Sequence, residues 1–357
     1  MINGISLAAR FLLYAAAFVI LVAGMKAAAP LLVPFLLAIF IALICAPPIT
    51  WLKARGVPGG AAIVVIVLGI VLCAALMGTL VGTSIVDFRG DLPHYQQRLL
   101  EMTGGLQDWL TGRGVEFNLG DLRDSVNPGA VMQLAGNTLA SLGNLTTNGF
   151  MILITVVFIL AEQVRFRDKL AQARNVPGES LAAIGRFTDS VNHYLGLKTL
   201  TSLLTGVLVG LALWLLGIDY AMMWALLTFL LNYVPTIGSI LAAAPTVLLA
   251  LVQIGPVTAL IAAGVQVVIN VVIGNIVEPR LMGRGLNLSP LVVFLSLVFW
   301  GWVLGPVGML LSVPLTMLVK IALENDPDTR WLGVMLGQGP APEPLEALPP
   351  VTEDASQ

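Results

Sequence analysis

Residues 220–277 decide the fold, and they read YAMMWALLTFLLNYVPTIGSILAAAPTVLLALVQIGPVTALIAAGVQVVINVVIGNIV. The stretch carries no charged side chain, and a proline, a glycine and several polar residues interrupt it at 232–239. A helix needs about 20 apolar residues to cross a bilayer, so the stretch is too long for two simple spans. We expect two apolar arms, 221–231 and 240–252, around the break, and then a span near 256–275.

A second uncharged stretch, 290–319, also consists of two apolar arms around a break. Glycines and a proline interrupt it at 301–308, between arms 290–300 and 309–319. Each arm has about 11 residues and measures roughly 16 Å, which is half of the hydrocarbon core. Each broken stretch is therefore either a re-entrant hairpin or one kinked span.

The positions of the basic residues favour hairpins. If 220–252 returns to the side on which it enters, the next span carries Arg280 and Arg284 to the cytoplasm, where Lys53 and Arg55 also lie. Eight simple spans would leave Arg280 and Arg284 outside. We therefore predict an all-α, polytopic membrane protein of about eight transmembrane segments, with two broken or re-entrant helical hairpins in its C-terminal half.

The two breaks also resemble each other. Residues 236–241 (TIGSIL) and 306–311 (PVGMLL) are each followed by a proline and another apolar run, with an offset of one residue. Two hairpins entering from opposite faces would form the inverted pair with which many secondary transporters build their binding sites. Chance similarity between apolar segments remains the alternative.

Composition excludes the common soluble classes. Apolar residues make up 57% of the chain and charged residues 11%, against roughly 25% charged in an ordinary globular domain. The net charge of −2 gives no basic surface for nucleic acid. Two cysteines and two histidines support neither a disulfide framework nor a multi-histidine metal centre. Nucleotide-binding and hydrolase motifs are absent, so we expect no enzyme activity, no cofactor and no metal site.

Charges and turn residues divide the rest of the chain. The uncharged run near the N-terminus is interpreted as a first span rather than a cleaved signal peptide. We predict an acidic extracytoplasmic segment with amphipathic helices, which serves either as a packed cap or in gating. The basic cytoplasmic linker is expected to contact membrane lipids. The predicted boundaries are 1–86 for three spans, 87–145 for the extracytoplasmic segment, 146–197 for the fourth span and linker, 198–324 for the core, and 325–357 for a disordered cytoplasmic tail.

Broken helices supply unpaired backbone groups and partial charges that hold polar solutes inside a membrane. Polar residues beside the breaks add side-chain ligands. The sequence leaves two roles open for Glu278, namely proton or cation binding and a structural ion pair with Arg280 or Arg284. The candidate substrate-binding residues are Asn232, Pro235, Gly238, Asn270, Asn275, Glu278, Gly305, Pro306 and Gly308.

Several motifs resemble those of the AI-2E (autoinducer-2 exporter) family. They are 232–238 (NYVPTIG), 275–283 (NIVEPRLMG), 288–290 (LSP), the 301–308 break and 313–315 (VPL). The resemblance extends over about 10–325, and the C-terminal motifs are the more specific. One departure is Lys198, since family members commonly carry Gly-Gln after the motif that here reads Tyr194-Leu195.

The resemblance implies a multi-pass carrier of the bacterial inner membrane, a homo-oligomer with a scaffold and a moving part. Some relatives export autoinducer-2 and others exchange sodium or lithium for protons. The absence of charge across 220–277 favours a small, neutral, polar solute over a strongly anionic one, and the resemblance implies export of such a solute, for example autoinducer-2. Sodium(lithium)/proton antiport is the alternative, and a non-transporting scaffold or a passive channel is a further one.

Overall fold

The computed structural model describes residues 6–113, 149–162, 178–235, 237–282 and 288–337. These residues form helices and the turns between them. In chain order the helices are α1 (Leu7–Ala27), α2 (Ala29–Ala54), α3 (Gly59–Thr111), α4 (Gly149–Glu162), α5 (Gly178–Leu215), α6 (Ala221–Leu231), α7 (Ile237–Gln253), α8 (Pro256–Val272), α9 (Glu278–Met282), α10 (Pro290–Glu324) and α11 (Arg330–Met335), with a π-helical turn (Ile273–Val277) between α8 and α9.

Within the described ranges, five helical segments are long and apolar enough to cross a membrane. They are Ala29–Ala54, Gly59–Asp91, Ser190–Leu215, Pro256–Leu281 and Pro290–Glu324. Their outward faces carry large apolar side chains, such as Leu68 and Leu260, which are 70% and 74% exposed. A water-soluble protein does not display so much apolar surface, whereas lipid covers it in a membrane protein. The chain is therefore an all-α, multi-pass membrane protein, as the composition predicts.

The segment after the third span differs from the expected separate surface helices. Residues 87–111 continue α3 without interruption, so the helix has 53 residues and is about 80 Å long. Phe88 and Tyr95 on this extension pack against Tyr220 and Trp224. The predicted amphipathic residues 114–145 lie outside the described residues.

The first broken stretch is a hairpin, which we call hairpin 1 (α6, the turn at 232–235, and α7). The side chain of Gln253 at its end accepts a bond from the Asp219 N–H (3.0 Å) and donates one to the Gly217 carbonyl (3.1 Å). Both ends of the hairpin therefore lie beside the C-terminal end of α5.

The second broken stretch is also folded back on itself. Within α10, Gly305 has non-helical dihedral angles (φ 71°, ψ −154°), which glycine adopts at little cost. The Trp300 indole N–H donates to the Thr316 hydroxyl at 3.0 Å, although 16 residues of straight helix span about 24 Å. We call α10 hairpin 2, with arms 290–304 and 306–324.

The two hairpins approach α5 from opposite ends. Leu288, just before hairpin 2, packs with Val191 and Leu195 near the start of the apolar part of α5, whereas the ends of hairpin 1 contact Gly217. Both broken stretches therefore fold back on themselves, and they begin at opposite ends of the apolar part of α5. That they enter the membrane from opposite faces stays a prediction.

The region after hairpin 2 corrects one expectation. A disordered tail was predicted from Asn325, but 325–337 are folded, and α11 packs on the second arm of hairpin 2. Gly333 lies against Glu324 where a side chain would not fit, and the Ser289 N–H donates to the Leu336 carbonyl at 3.1 Å. Residues 325–337 are therefore ordered by contacts with hairpin 2, which the polar composition of the tail did not indicate. Residues 338–357 lie outside the described residues.

Candidate functional site

A polar face on α5 connects the candidate residues. Lys198, Thr201, Ser202 and Thr205 are all buried, with exposures of 4%, 1%, 0% and 0%. Their spacing of i, i+3, i+4 and i+7 places them on one side of the helix. Sequence reasoning missed this face, although the spacing alone was sufficient to find it.

The tip of hairpin 1 is bound to α5 by two side-chain hydrogen bonds, one of them to the polar face. The Asn232 amide N–H donates to the Ser202 hydroxyl at 3.0 Å. The Tyr233 hydroxyl donates to the Thr199 hydroxyl at 2.7 Å, and Thr199 in turn donates to the Leu195 carbonyl. The break therefore meets α5 through uncharged, partly buried amide and hydroxyl groups. Such groups can exchange these bonds for bonds to a hydroxyl-bearing solute.

Glycines allow the close packing that brings the tip to α5. A side chain at Gly206 would contact the Ala225 carbonyl at 2.8 Å, and one at Gly210 would contact the Ala225 side chain at 2.5 Å. At Gly78 and Gly82 an added side chain meets nothing within 4 Å. Of these two pairs at four-residue spacing, the Gly206/Gly210 pair alone serves helix packing here.

Gly238 and Gly308 occupy equivalent places in the two hairpins. A side-chain carbon at Gly238 would overlap the Leu231 carbonyl oxygen, and one at Gly308 would overlap the Trp300 carbonyl oxygen. In each case the glycine of the second arm lies against a backbone carbonyl of the first arm. The similarity between 236–241 and 306–311 therefore corresponds to a shared structural role.

Glu278 forms an ion pair with Lys198. The Lys198 ammonium donates to both carboxylate oxygens, at 2.9 Å and 3.0 Å. The lysine and glutamate side chains are 5% and 18% exposed. The structural partner of Glu278 is therefore on α5. Arg280, one of the two partners considered from the sequence, is exposed, and Arg284 lies outside the described residues.

The remaining polar candidates are separate from this contact. Asn270 donates to the Gln266 carbonyl of its own helix at 2.9 Å, and Gln266 bonds Thr246 on α7 at 2.9 Å. Asn275 is exposed in the π-helical turn. The Gln266 side chain therefore joins α8 to α7, and a role of Asn270 in substrate binding stays a prediction.

The tip of hairpin 2 lines a different space. A cavity of about 570 Å³ is bounded by Gly305 and by α2, with Pro30 and Val33 among its walls. The Lys26 ammonium, also at this cavity, lies 4.0 Å from the centre of the Trp302 ring. Asn232 is not among the residues that line this cavity. Tyr233 and Val307 belong to the same apolar cluster, which also contains Phe40 of α2.

Outside the apolar segments, α3 is bound to the start of hairpin 1 by two tyrosine–carboxylate hydrogen bonds. The Tyr95 hydroxyl donates to Asp219 at 2.9 Å and the Tyr220 hydroxyl donates to Asp91. Burial, together with these carboxylates, raises the pKa of both tyrosines well above the ordinary value. This arrangement places part of the predicted extracytoplasmic segment in contact with the hairpin.

Comparisons with known proteins agree with this architecture. The model of the family described as AI-2E family transporter matches residues 15–327. The AI-2 transport protein TqsA of Escherichia coli (strain K12) is 42% identical over 89% of this chain and 92% of its own length. A putative transport protein of Haemophilus influenzae is 42% identical over 92% and 96%, and the putative transport protein YhhT of Escherichia coli (strain K12) is 39% identical over 95% and 97%. The relatives are named as transport proteins rather than enzymes. With a family match over most of its length and relatives at this identity, the chain belongs to the AI-2E family of membrane transporters.

Proposed function

We propose that this transporter exports a small, neutral, polar solute, autoinducer-2 or a chemically similar metabolite, across the bacterial inner membrane. One observation carries the proposal. At the tip of hairpin 1, Asn232 and Tyr233 meet Ser202 and Thr199 through amide and hydroxyl groups without a free charge. Neutral hydroxyl-bearing solutes suit such groups, whereas a strongly anionic solute would need a cationic partner. The name of the Escherichia coli relative, AI-2 transport protein, supports the same solute class.

The proposal is tested by measuring intracellular and extracellular autoinducer-2 in cells that lack the Escherichia coli relative and express this protein. We expect expression to lower the intracellular pool relative to cells with an empty vector. Equal pools, with the protein present in the membrane, would contradict export of this solute. Other small polar metabolites would then be measured in the same cells.

Two buried serines provide a matched pair of variants. Ser202 receives the Asn232 hydrogen bond, whereas Ser312 donates to the Met309 carbonyl of its own helix. Both are completely buried. We expect Ser202→Ala to reduce export and Ser312→Ala to leave it near the wild-type rate. Equal effects of the two substitutions would mean that the contact at the tip has no special role.

Sodium(lithium)/proton antiport is the second candidate, and Glu278 favours it because it is a partly buried carboxylate beside a π-helical turn. Everted vesicles with an imposed pH gradient test this candidate. Collapse of the gradient on adding sodium or lithium, lost in Glu278→Gln, would support antiport. An unchanged gradient in vesicles with correctly assembled protein would leave solute export as the function.

A further inference from the structure

Lys198 and Glu278 belong to different helices, and their side chains meet in a partly buried position. The π-helical turn widens the backbone just before Glu278, whose N–H bonds the Ile273 carbonyl five residues earlier. Such turns change the direction in which the following side chains point. Here the turn leaves Asn275 exposed, while Glu278 points toward α5 and meets Lys198. Because π-helical turns occur often at functional sites, the Glu278 carboxylate beside this turn is a candidate ligand for a cation.

The ammonium of Lys198 already satisfies that carboxylate. It bonds both carboxylate oxygens, and its own side chain is 5% exposed. A buried carboxylate without a counter-charge is strongly unfavourable. Arg280, two residues further along α9, is exposed and does not pair with Glu278. Tyr194, buried on the same helix as Lys198, also lies in the electrostatic field of the carboxylate, but a neutral phenol does not replace a cation.

We propose that Lys198 is a tethered counter-ion that occupies the place of a free monovalent cation at Glu278, so that removing its charge converts Glu278 into a binding site for sodium or lithium. The vacated ammonium position lies within hydrogen-bond distance of two carboxylate oxygens, and oxygen is the ligand that hard cations prefer. Lys198 thus determines whether this position binds a cation from solution. The inference concerns the ion pair itself and does not depend on which solute is exported, but it is incompatible with antiport that uses Glu278 of the wild type as its cation site.

The experiment measures thermal unfolding of the purified, detergent-solubilised protein at pH 8.5, in sodium, lithium or choline chloride at equal ionic strength. The variants are the wild type, Lys198→Met, Glu278→Gln and the double variant. We expect the melting temperature of the wild type to be the same in all three salts. In Lys198→Met it should rise in sodium or lithium, by about 2–4 °C when the cation is about tenfold above its dissociation constant. The rise should saturate, and it should disappear in the double variant, which lacks the carboxylate.

Three outcomes would overturn the proposal. One is a Lys198→Met protein that melts at the same temperature in all salts, and another is a cation effect that persists in the double variant. The third is stabilisation of Lys198→Met by acid alone, since Glu278 would then be satisfied by a proton. Lys198→Gln serves as a milder variant if Lys198→Met does not fold, because its amide retains one hydrogen bond to the carboxylate. Binding is read from melting rather than transport, so failure of the export proposal would not affect the result.

Discussion

Replacing Gly308 by alanine tests how the arms of hairpin 2 are held together. Gly308 lies in the second arm, where its backbone is helical, so alanine itself would be favoured by about 0.5–1 kcal/mol. The new carbon would, however, overlap the Trp300 carbonyl oxygen and lie 2.7 Å from the Leu304 side chain. Carbon atoms in contact normally lie about 3.5–4 Å apart, so the arms must separate by about 1 Å.

That separation has two costs. Forcing an extra carbon into a packed interior costs about 1–3 kcal/mol. The Trp300–Thr316 hydrogen bond across the arms, worth about 1 kcal/mol, is weakened as well. After the favourable helical term is subtracted, we expect Gly308→Ala to destabilise the protein by about 1–3 kcal/mol.

The assay is denaturant or thermal unfolding of the purified protein in detergent, with Gly264→Ala as the control. Gly264 is on α8, and a side chain there meets nothing within 4 Å, so alanine should be neutral or stabilising by up to about 1 kcal/mol. If Gly308→Ala were as stable as Gly264→Ala, the close contact between the arms would not be what holds hairpin 2 closed.

Two further predictions concern other contacts. Folding raises the pKa of Tyr95, so the folded state favours the neutral phenol. The resulting stabilisation is complete below the unfolded pKa of about 10. It is lost as the pH rises from that value toward the folded pKa. We expect the melting temperature to fall between pH 9 and pH 11, and to fall less in Tyr95→Phe; equal slopes would contradict the role of the phenol. Gly206→Val should destabilise the protein by about 2 kcal/mol or more, because the new side chain would overlap α6. The control, Gly78→Val, should change stability by less than about 1 kcal/mol. Equal melting temperatures of the two variants would show that α5 and α6 can move apart at little cost.

The sequence predicts the hairpins well because their signals are local. Runs without charge give the length of each arm, and proline and glycine mark each break. The same local pattern fails for the α3 extension, since acidic and polar residues do not by themselves end a helix, and residues 87–111 continue it. It also fails for 325–337, whose folding depends on contacts with the second arm of hairpin 2 and with Ser289.

Side-chain partners are the part of the site that the sequence cannot supply. Lys198 and Glu278 are 80 residues apart in the sequence. From the sequence alone, Arg280 or Arg284 is an equally good ion-pair partner for Glu278, because the packing of the helices is not known. The polar face of α5 was accessible in principle, because its residues recur at i, i+3, i+4 and i+7. It was missed because threonine and serine are common in membrane helices, where they bond their own backbone, as Thr201 and Thr205 do here.

We expect the two hairpins to enter the membrane from opposite faces, an arrangement in which the tip of hairpin 1 reaches the buried polar face of α5. Single cysteines at Ile254, beside the end of hairpin 1, and at Asn325, just after hairpin 2, test this in a protein whose Cys45 and Cys73 are replaced by alanine. Both positions are exposed. A membrane-impermeant maleimide should label Ile254→Cys in intact cells and Asn325→Cys in everted vesicles. Labelling of both cysteines from the same side would contradict the inverted arrangement.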